Sequence, residues 1–218
     1  MIPDTTLYLV SAAIFLVSGA VFWAWTRRQP TELRKYCYPL VALVLLSAAS
    51  STLDAAGIGH LDIWAGSIEL PNAVDDFIAY PVLVGFVGVL AGSSRRMLVV
   101  LVGAPVVMRT SFVVATLTEG TVSTVAGLVV VAGYLVVTAI LFGPVWRTAS
   151  QQNDRRRLLY WKARNLLVLL MGMLIVYSQL ELLGLFDPFT GTVANQYIDL
   201  LLRIAFAGFL LSNVRSLS

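Results

Sequence analysis

Long apolar runs alternate along the chain with short polar breaks. The runs fall at about 7–26, 38–58, 72–92, 97–117, 121–146, 160–184 and 192–214. Each is long enough to cross a hydrocarbon layer of roughly 30 Å as a helix of about 20 residues. A backbone in lipid must satisfy its own N–H and C=O groups, so runs of this length predict helices. The breaks carry turn-forming residues: Arg27-Arg28-Gln29-Pro30 after the first run, Gly92-Ser93-Ser94 after the third, Asp187-Pro188 between the sixth and seventh. The pattern predicts an all-α membrane protein, a seven-transmembrane-helix bundle forming one domain over residues 1–218. No basic stretch precedes the first run, which therefore reads as a retained span and not a cleaved signal peptide.

Composition agrees. Of 218 residues, 58% are hydrophobic and 12% charged, about half the charged fraction of a soluble domain. The placement of charge sets an expected orientation. Thirteen of the 15 Lys and Arg residues lie at alternate breaks or at the end of the chain, and the opposite breaks hold Asp62, Glu69, Glu119 and Asp187 instead. By the positive-inside rule the N-terminus is expected outside and the C-terminus in the cytoplasm of a cell membrane. The five tryptophans (Trp23, Trp25, Trp64, Trp146 and Trp161) fall near run ends or in a loop, as an interfacial belt would. One cysteine, Cys37, excludes an internal disulfide and a thiolate metal site. One histidine, His60, at an expected helix end, excludes a His cluster, so neither metal chemistry nor an enzyme's catalytic set is expected. Membrane lipids are the expected partners, with no nucleic acid.

Ionisable residues within apolar runs cost roughly 2.5–3.5 kcal/mol on insertion scales and call for a partner or a task. Asp199 and Arg203 lie four apart near the middle of the seventh run, one turn apart on one face. Asp75 and Asp76 stand on the third, ahead of Pro81. Neighbouring helix positions diverge by about 100°, so one of the two is expected to face the interior. Arg109, deep in the fourth run, has no local partner, and Asp54 of another subunit or the outer surface is its expected destination. A structural ion pair between Asp199 and Arg203 is one account of these charges; a buried ligand or switching site that also includes Asp75 is the other.

The segment Tyr197-Ile-Asp199-Leu-Leu-Leu-Arg203-Ile-Ala-Phe206-Ala-Gly208 resembles the seventh helix of the microbial rhodopsins of the archaeal bacteriorhodopsin type. In that family an Asp precedes the retinal-binding lysine by four residues. Asp199 is similar to the second counterion, and Arg203 stands at the lysine position. Asp75 followed six residues later by Pro81 looks like the primary counterion and its helix proline. Leu101-Val-Gly-Ala104 with Met108, and Arg164-Asn165 opening the sixth helix, are further similarities, and the resemblance covers essentially the whole chain.

The departures cluster around the expected chromophore. Asn72 and Ala73 stand where the resemblance implies Arg and Tyr. Asp76 replaces a Trp and Ala79 a pocket Thr, with Tyr80 beside it. In the register set by Arg164-Asn165, Met171, Leu174, Ile175 and Ser178 occupy the sixth-helix positions that would wall the retinal. The only two lysines, Lys35 and Lys162, fall at the expected cytoplasmic edge. A Schiff base needs an amine that can be neutral when it attacks, which a guanidinium is not. No covalent retinal is therefore expected, and light-driven pumping loses its mechanism. A permanent cation at 203 would instead offset Asp75 and Asp199, two carboxylates that would otherwise repel.

Three functions remain open. The chain could be a non-photochemical opsin homologue acting as an interaction or signalling subunit, as a trimer or beside another membrane protein. The small residues Ala48, Ala49, Ser50 and Ser51 could then line a close helix contact, with ordinary packing inside the bundle as the alternative. It could carry a non-covalent carotenoid, retinoid or lipid against Met108, Met171, Met173 and Leu174, unless those side chains simply fill the vacated space. Or it could be a light-independent transporter or channel through Asn72, Asp75, Asp76 and Asp199, although residues 82–90 are apolar apart from glycines and interrupt such a path.

Overall fold

A computed structural model describes residues 3–63 and 66–217. Among them are seven helical stretches long and apolar enough to cross a membrane. The first four are α1 (Asp4–Arg27), α2 (Thr31–Ala55), α3 (Leu70–Ala91) and α4 (Arg95–Leu117). The fifth is α5 (Gly120–Phe142), continued after a break at Gly143 by the short α6 (Pro144–Ala149). The sixth is α7 (Asp154–Leu182). The seventh runs from α8 (Pro188–Leu200) through one π-helical turn (Leu201–Ala205) into α9 (Phe206–Ser212), and a 3₁₀ turn, Val214–Leu217, closes the chain.

The helix ends differ from the apolar runs in a systematic way. α2 begins seven residues before its run and α7 six residues before. Charged first turns such as Thr31-Glu32-Leu33-Arg34 are polar enough to escape a hydropathy reading, yet they are still helical. Asn153 caps α7 by accepting from the backbone N–H of Arg156. Asp187 caps α8 in the same way, accepting from the backbone N–H of Thr190, and this bond with that of the Thr190 hydroxyl holds its carboxyl below the usual carboxylate range.

His60 is not in an irregular loop. It opens a two-stranded antiparallel hairpin, β1 (His60–Ile63) and β2 (Gly66–Glu69), between α2 and α3. Leu70 donates back to the carbonyl of Gly59, so the hairpin leads directly into α3. The Trp64 of the expected tryptophan belt lies outside the described residues. The hairpin defines one end of the bundle, which we call the hairpin end; the arginine-rich breaks lie at the other, the basic end.

Burial runs as lipid demands. Leu16, Val17, Val99, Leu128, Leu135 and Leu169 point outward, while Asp75, Asp76, Asp199 and Arg203 are buried within the bundle. α3 is the most enclosed helix, packing against α2, α4 and α7. At the basic end Arg156 donates to the carbonyls of Leu90 and Val89 at 2.8 and 2.9 Å, satisfying the last turn of α3. Gly92 ends that helix with φ 73°, a left-handed conformation that glycine adopts without strain. The Tyr160 hydroxyl ties α7 to the carbonyl of Leu141 in α5. Ala48, Ser50 and Ser51 of the small-residue stripe are buried inside the bundle and Ala49 faces outward.

Candidate functional site

The π turn places Arg203 at the centre of the molecule. Its side chain is 1% exposed and is the largest of the fully buried ones. A π turn widens the helix by one residue and occurs at functional positions. Arg203 Nη1 lies 2.6 Å from Asp199 Oδ1, the i, i+4 pair read from the sequence. That contact is close in distance but poor in angle, since Asp199 Oδ1 makes no hydrogen bond. Arg203 Nη2 crosses to α3, where it donates to Asp76 Oδ1 at 2.5 Å and lies 3.1 Å from Asp75 Oδ2. The ring of Tyr80, one turn along α3, sits 5.8 Å from the guanidinium carbon.

Both aspartates of α3 are thus engaged, contrary to the expectation that only one faces inward. The reason is the reach of arginine. Asp75 leans toward α2, where the Ser47 hydroxyl donates to its Oδ1 at 3.2 Å. Asp76 leans toward α4, where Arg109 Nη2 lies 3.0 Å from its Oδ2. A single Nη2 of Arg203 lies between them. Arg109 therefore neither snorkels outward nor waits for another subunit's Asp54. It pairs with Asp76 inside its own bundle, with the ring of Phe112 5.2 Å from its guanidinium carbon.

The result is a cluster of three carboxylates and two guanidiniums. Taking an ion out of water costs several kcal/mol, recovered only when partners and hydrogen bonds are well placed. With all five groups charged the cluster keeps one excess negative charge. Arg203 Nε and Arg109 Nε are both buried without an acceptor.

Above the cluster, toward the hairpin end, lies an open cavity of about 380 Å³. Asn72, Asp76, Tyr80, Met108, Met171, Leu174, Ile175 and Ser178 line it, together with Arg109 and, near the mouth, Tyr8, Glu69, Glu181 and Asp187. Asp75, Ala79, Asp199 and Arg203 are buried behind this wall and do not line it, and neither does Pro81. Met173 lies on the outward face of α7 and is no part of the lining. The lower walls are apolar, and the mouth is polar. The Tyr8 hydroxyl donates to Glu69 at 2.8 Å, linking α1 to the hairpin, and the Tyr177 hydroxyl donates to the carbonyl of Gly191.

Sequence reasoning missed Ser47, Pro105, Phe112 and the mouth residues. A signal existed for one of them: Glu181 follows Met171, Leu174 and Ser178 at helical spacing, so one stripe of α7 passes from apolar to acidic. Among the described residues no group of His, Cys, Asp and Glu is placed to hold a metal ion.

Comparison with known proteins places this geometry in context. The family model described as bacteriorhodopsin-like protein matches residues 3–217. Sensory rhodopsin-2 of Natronomonas pharaonis is 30% identical over 217 residues, covering 96% of this chain and 88% of that one. The light-driven proton pump rhodopsin of Coccomyxa subellipsoidea superposes with a TM-score of 0.88 at 20% identity over 96% of each chain. The light-driven proton pump of Leptosphaeria maculans gives 0.89 at 18% identity over 100% of this chain and 98% of that one. The thermophilic rhodopsin of Rubrobacter xylanophilus gives 0.87 at 19% identity over 99% and 98%. At these identities the structural matches establish the fold.

Proposed function

The chain belongs to the bacteriorhodopsin-like family, and we propose that within it this multi-pass membrane protein holds no covalent retinal, does not pump, and serves as an interaction or signalling subunit. The observation that carries this reading is Arg203. A guanidinium stands one helical turn from Asp199 and bridges to Asp75 and Asp76. The family resemblance puts a Schiff-base lysine at that position. Arginine supplies the cation of the resting state but no amine able to condense with an aldehyde and no proton to release at ordinary pH. The similarity to a sensory rhodopsin supports signalling over transport, as does the apolar α3 wall from Val82 to Leu90 that closes the basic half. The N-terminus at the hairpin end then faces outside and the C-terminus the cytoplasm, as the basic end requires. No enzymatic role is proposed.

A second reading is favoured by the cavity. At about 380 Å³ it falls within the roughly 300–1,000 Å³ usual for small-molecule sites, so a non-covalent ligand such as a carotenoid, retinoid or lipid has room. Such a ligand would serve a signalling subunit as its input, so the two readings are compatible.

The non-pumping claim is tested in sealed vesicles containing the protein and all-trans retinal. Illumination is expected to produce no uncoupler-sensitive pH change, and a light-dependent, uncoupler-sensitive change would overturn the reading.

A further inference from the structure

The mouth of the cavity is acidic. Glu69, Glu181 and Asp187 stand there beside His60, and deeper in the wall Asp76 faces the one lining guanidinium, that of Arg109. Asp76 is committed to Arg109 and Arg203, and Glu69 accepts from Tyr8. Glu181 is exposed toward the opening, beside the Tyr177 hydroxyl and with Arg109 as the cation nearby on α4. Any charged group entering from the hairpin end therefore meets a field that repels anions and attracts cations. Aromatic rings that favour cations stand in the same wall, Phe112, Tyr177 and Phe186, the last two stacked with centroids 5.5 Å apart.

The floor is of the opposite character. Met108, Met171, Leu174 and Ile175 offer soft, adaptable apolar surface. Met171 and Glu181 lie ten residues apart on α7, so apolar floor and acidic mouth are about 15 Å apart along the helix axis. Between them Arg109 Nε is buried with no acceptor. An unsatisfied buried donor is costly and is a place where a ligand oxygen would gain a bond. An anion there would have to outbid Asp76 and pass the acidic mouth, so the matching group is a neutral acceptor.

We propose that the cavity binds an amphiphilic organic cation, a molecule of about 15 Å or less with an apolar end against Met108, Met171, Leu174 and Ile175 and a protonated or quaternary amine at Glu181. This rests on the reading that no covalent retinal occupies the space, and it narrows the ligand from apolar molecules in general to cationic ones. Neutral carotenoids and retinoids fit the floor but leave the mouth unused; fatty acids are repelled by it.

The test uses the full chain in neutral-lipid nanodiscs and three probes of one shape: 4-phenylbutyltrimethylammonium, its neutral tert-butyl isostere, and 5-phenylpentanoate, each titrated by calorimetry. The cation is expected to bind about tenfold more tightly than the neutral isostere, from ion-pair and cation–π attraction together, and the carboxylate least. Glu181→Gln, at an exposed position, should weaken the cation about threefold and leave the isostere unchanged. Met171→Trp, which fills the floor, should abolish binding of both; a thermal melt showing that each variant is folded accompanies each titration. Equal binding of cation and isostere, preference for the carboxylate, or no saturable binding of the cation would overturn the proposal. A pigment formed with retinal would instead overturn the reading beneath it, and the visible spectrum reads that outcome separately.

Discussion

Arg203→Met lowers the stability of the bundle by about 3–5 kcal/mol, the cost of breaking a buried ion pair by removing one partner. The substitution keeps the volume apolar and leaves Asp75, Asp76 and Asp199 enclosed with only Arg109 as a counter-charge. Asp75 and Asp199 then have no guanidinium within reach. Those carboxylates must take up protons or admit water, and either route costs stability. The size of the effect comes from the count of partners: Arg203 faces three carboxylates, at 2.5, 2.6 and 3.1 Å. Removing the charges together should recover much of the loss, because replacing a whole buried charge set by neutral groups is often nearly neutral. The triple variant Asp75→Asn, Asp199→Asn, Arg203→Met is therefore expected to unfold above the single variant in a thermal melt monitored by circular dichroism. A single variant as stable as the wild type would show that the cluster is not what we describe.

Asp76→Asn costs about 3 kcal/mol, less than the Arg203 change but more than an ordinary polar substitution. Two charge-assisted contacts of roughly 1.5–3 kcal/mol each are weakened, and the amide keeps one acceptor oxygen for one of them. Among the described residues Asp76 alone is ion-paired with both guanidiniums, so its loss uncouples α4 from the centre. A double-mutant cycle with Arg109→Met isolates this link: in the Asp76→Asn background the second change should cost at least 1 kcal/mol less than in the wild type. The exposed pair Arg157–Asp154, at 2.9 Å against 3.0 Å for Arg109–Asp76, serves as the control and should show coupling of about 0.5 kcal/mol or less. Equal coupling for the two pairs would mean that burial contributes nothing at Asp76.

The seven helices were legible because lipid imposes a simple rule. Each span must be apolar and about 20 residues long, and the charges between spans stand out against it. The Asp199–Arg203 pair was legible because it is local, four residues apart on one helix. The Asp76–Arg109 pair was not, because helix geometry constrains residues within a turn and says nothing about which side chains meet across 33 positions. The two α3 aspartates were misread as exclusive because side-chain reach was left out: a helix wheel separates Cβ atoms, whereas an arginine extends several ångströms beyond its own. The hairpin His60–Glu69 was hidden by its shortness, its sequence holding too few alternating positions to be distinguished from a loop. The cavity is lined from six helices and the hairpin at once, so its mouth, which no single stretch of chain contains, left no trace beyond the acidic end of the α7 stripe.

The central claim is that the position which the family resemblance assigns to a retinal-binding lysine here holds a fixed guanidinium that forms no Schiff base. The most direct measurement is the visible spectrum of the purified protein incubated with all-trans retinal, recorded before and after hydroxylamine. The account predicts no band red-shifted from free retinal and nothing in the visible for hydroxylamine to bleach. A red-shifted visible band that hydroxylamine removes would contradict it.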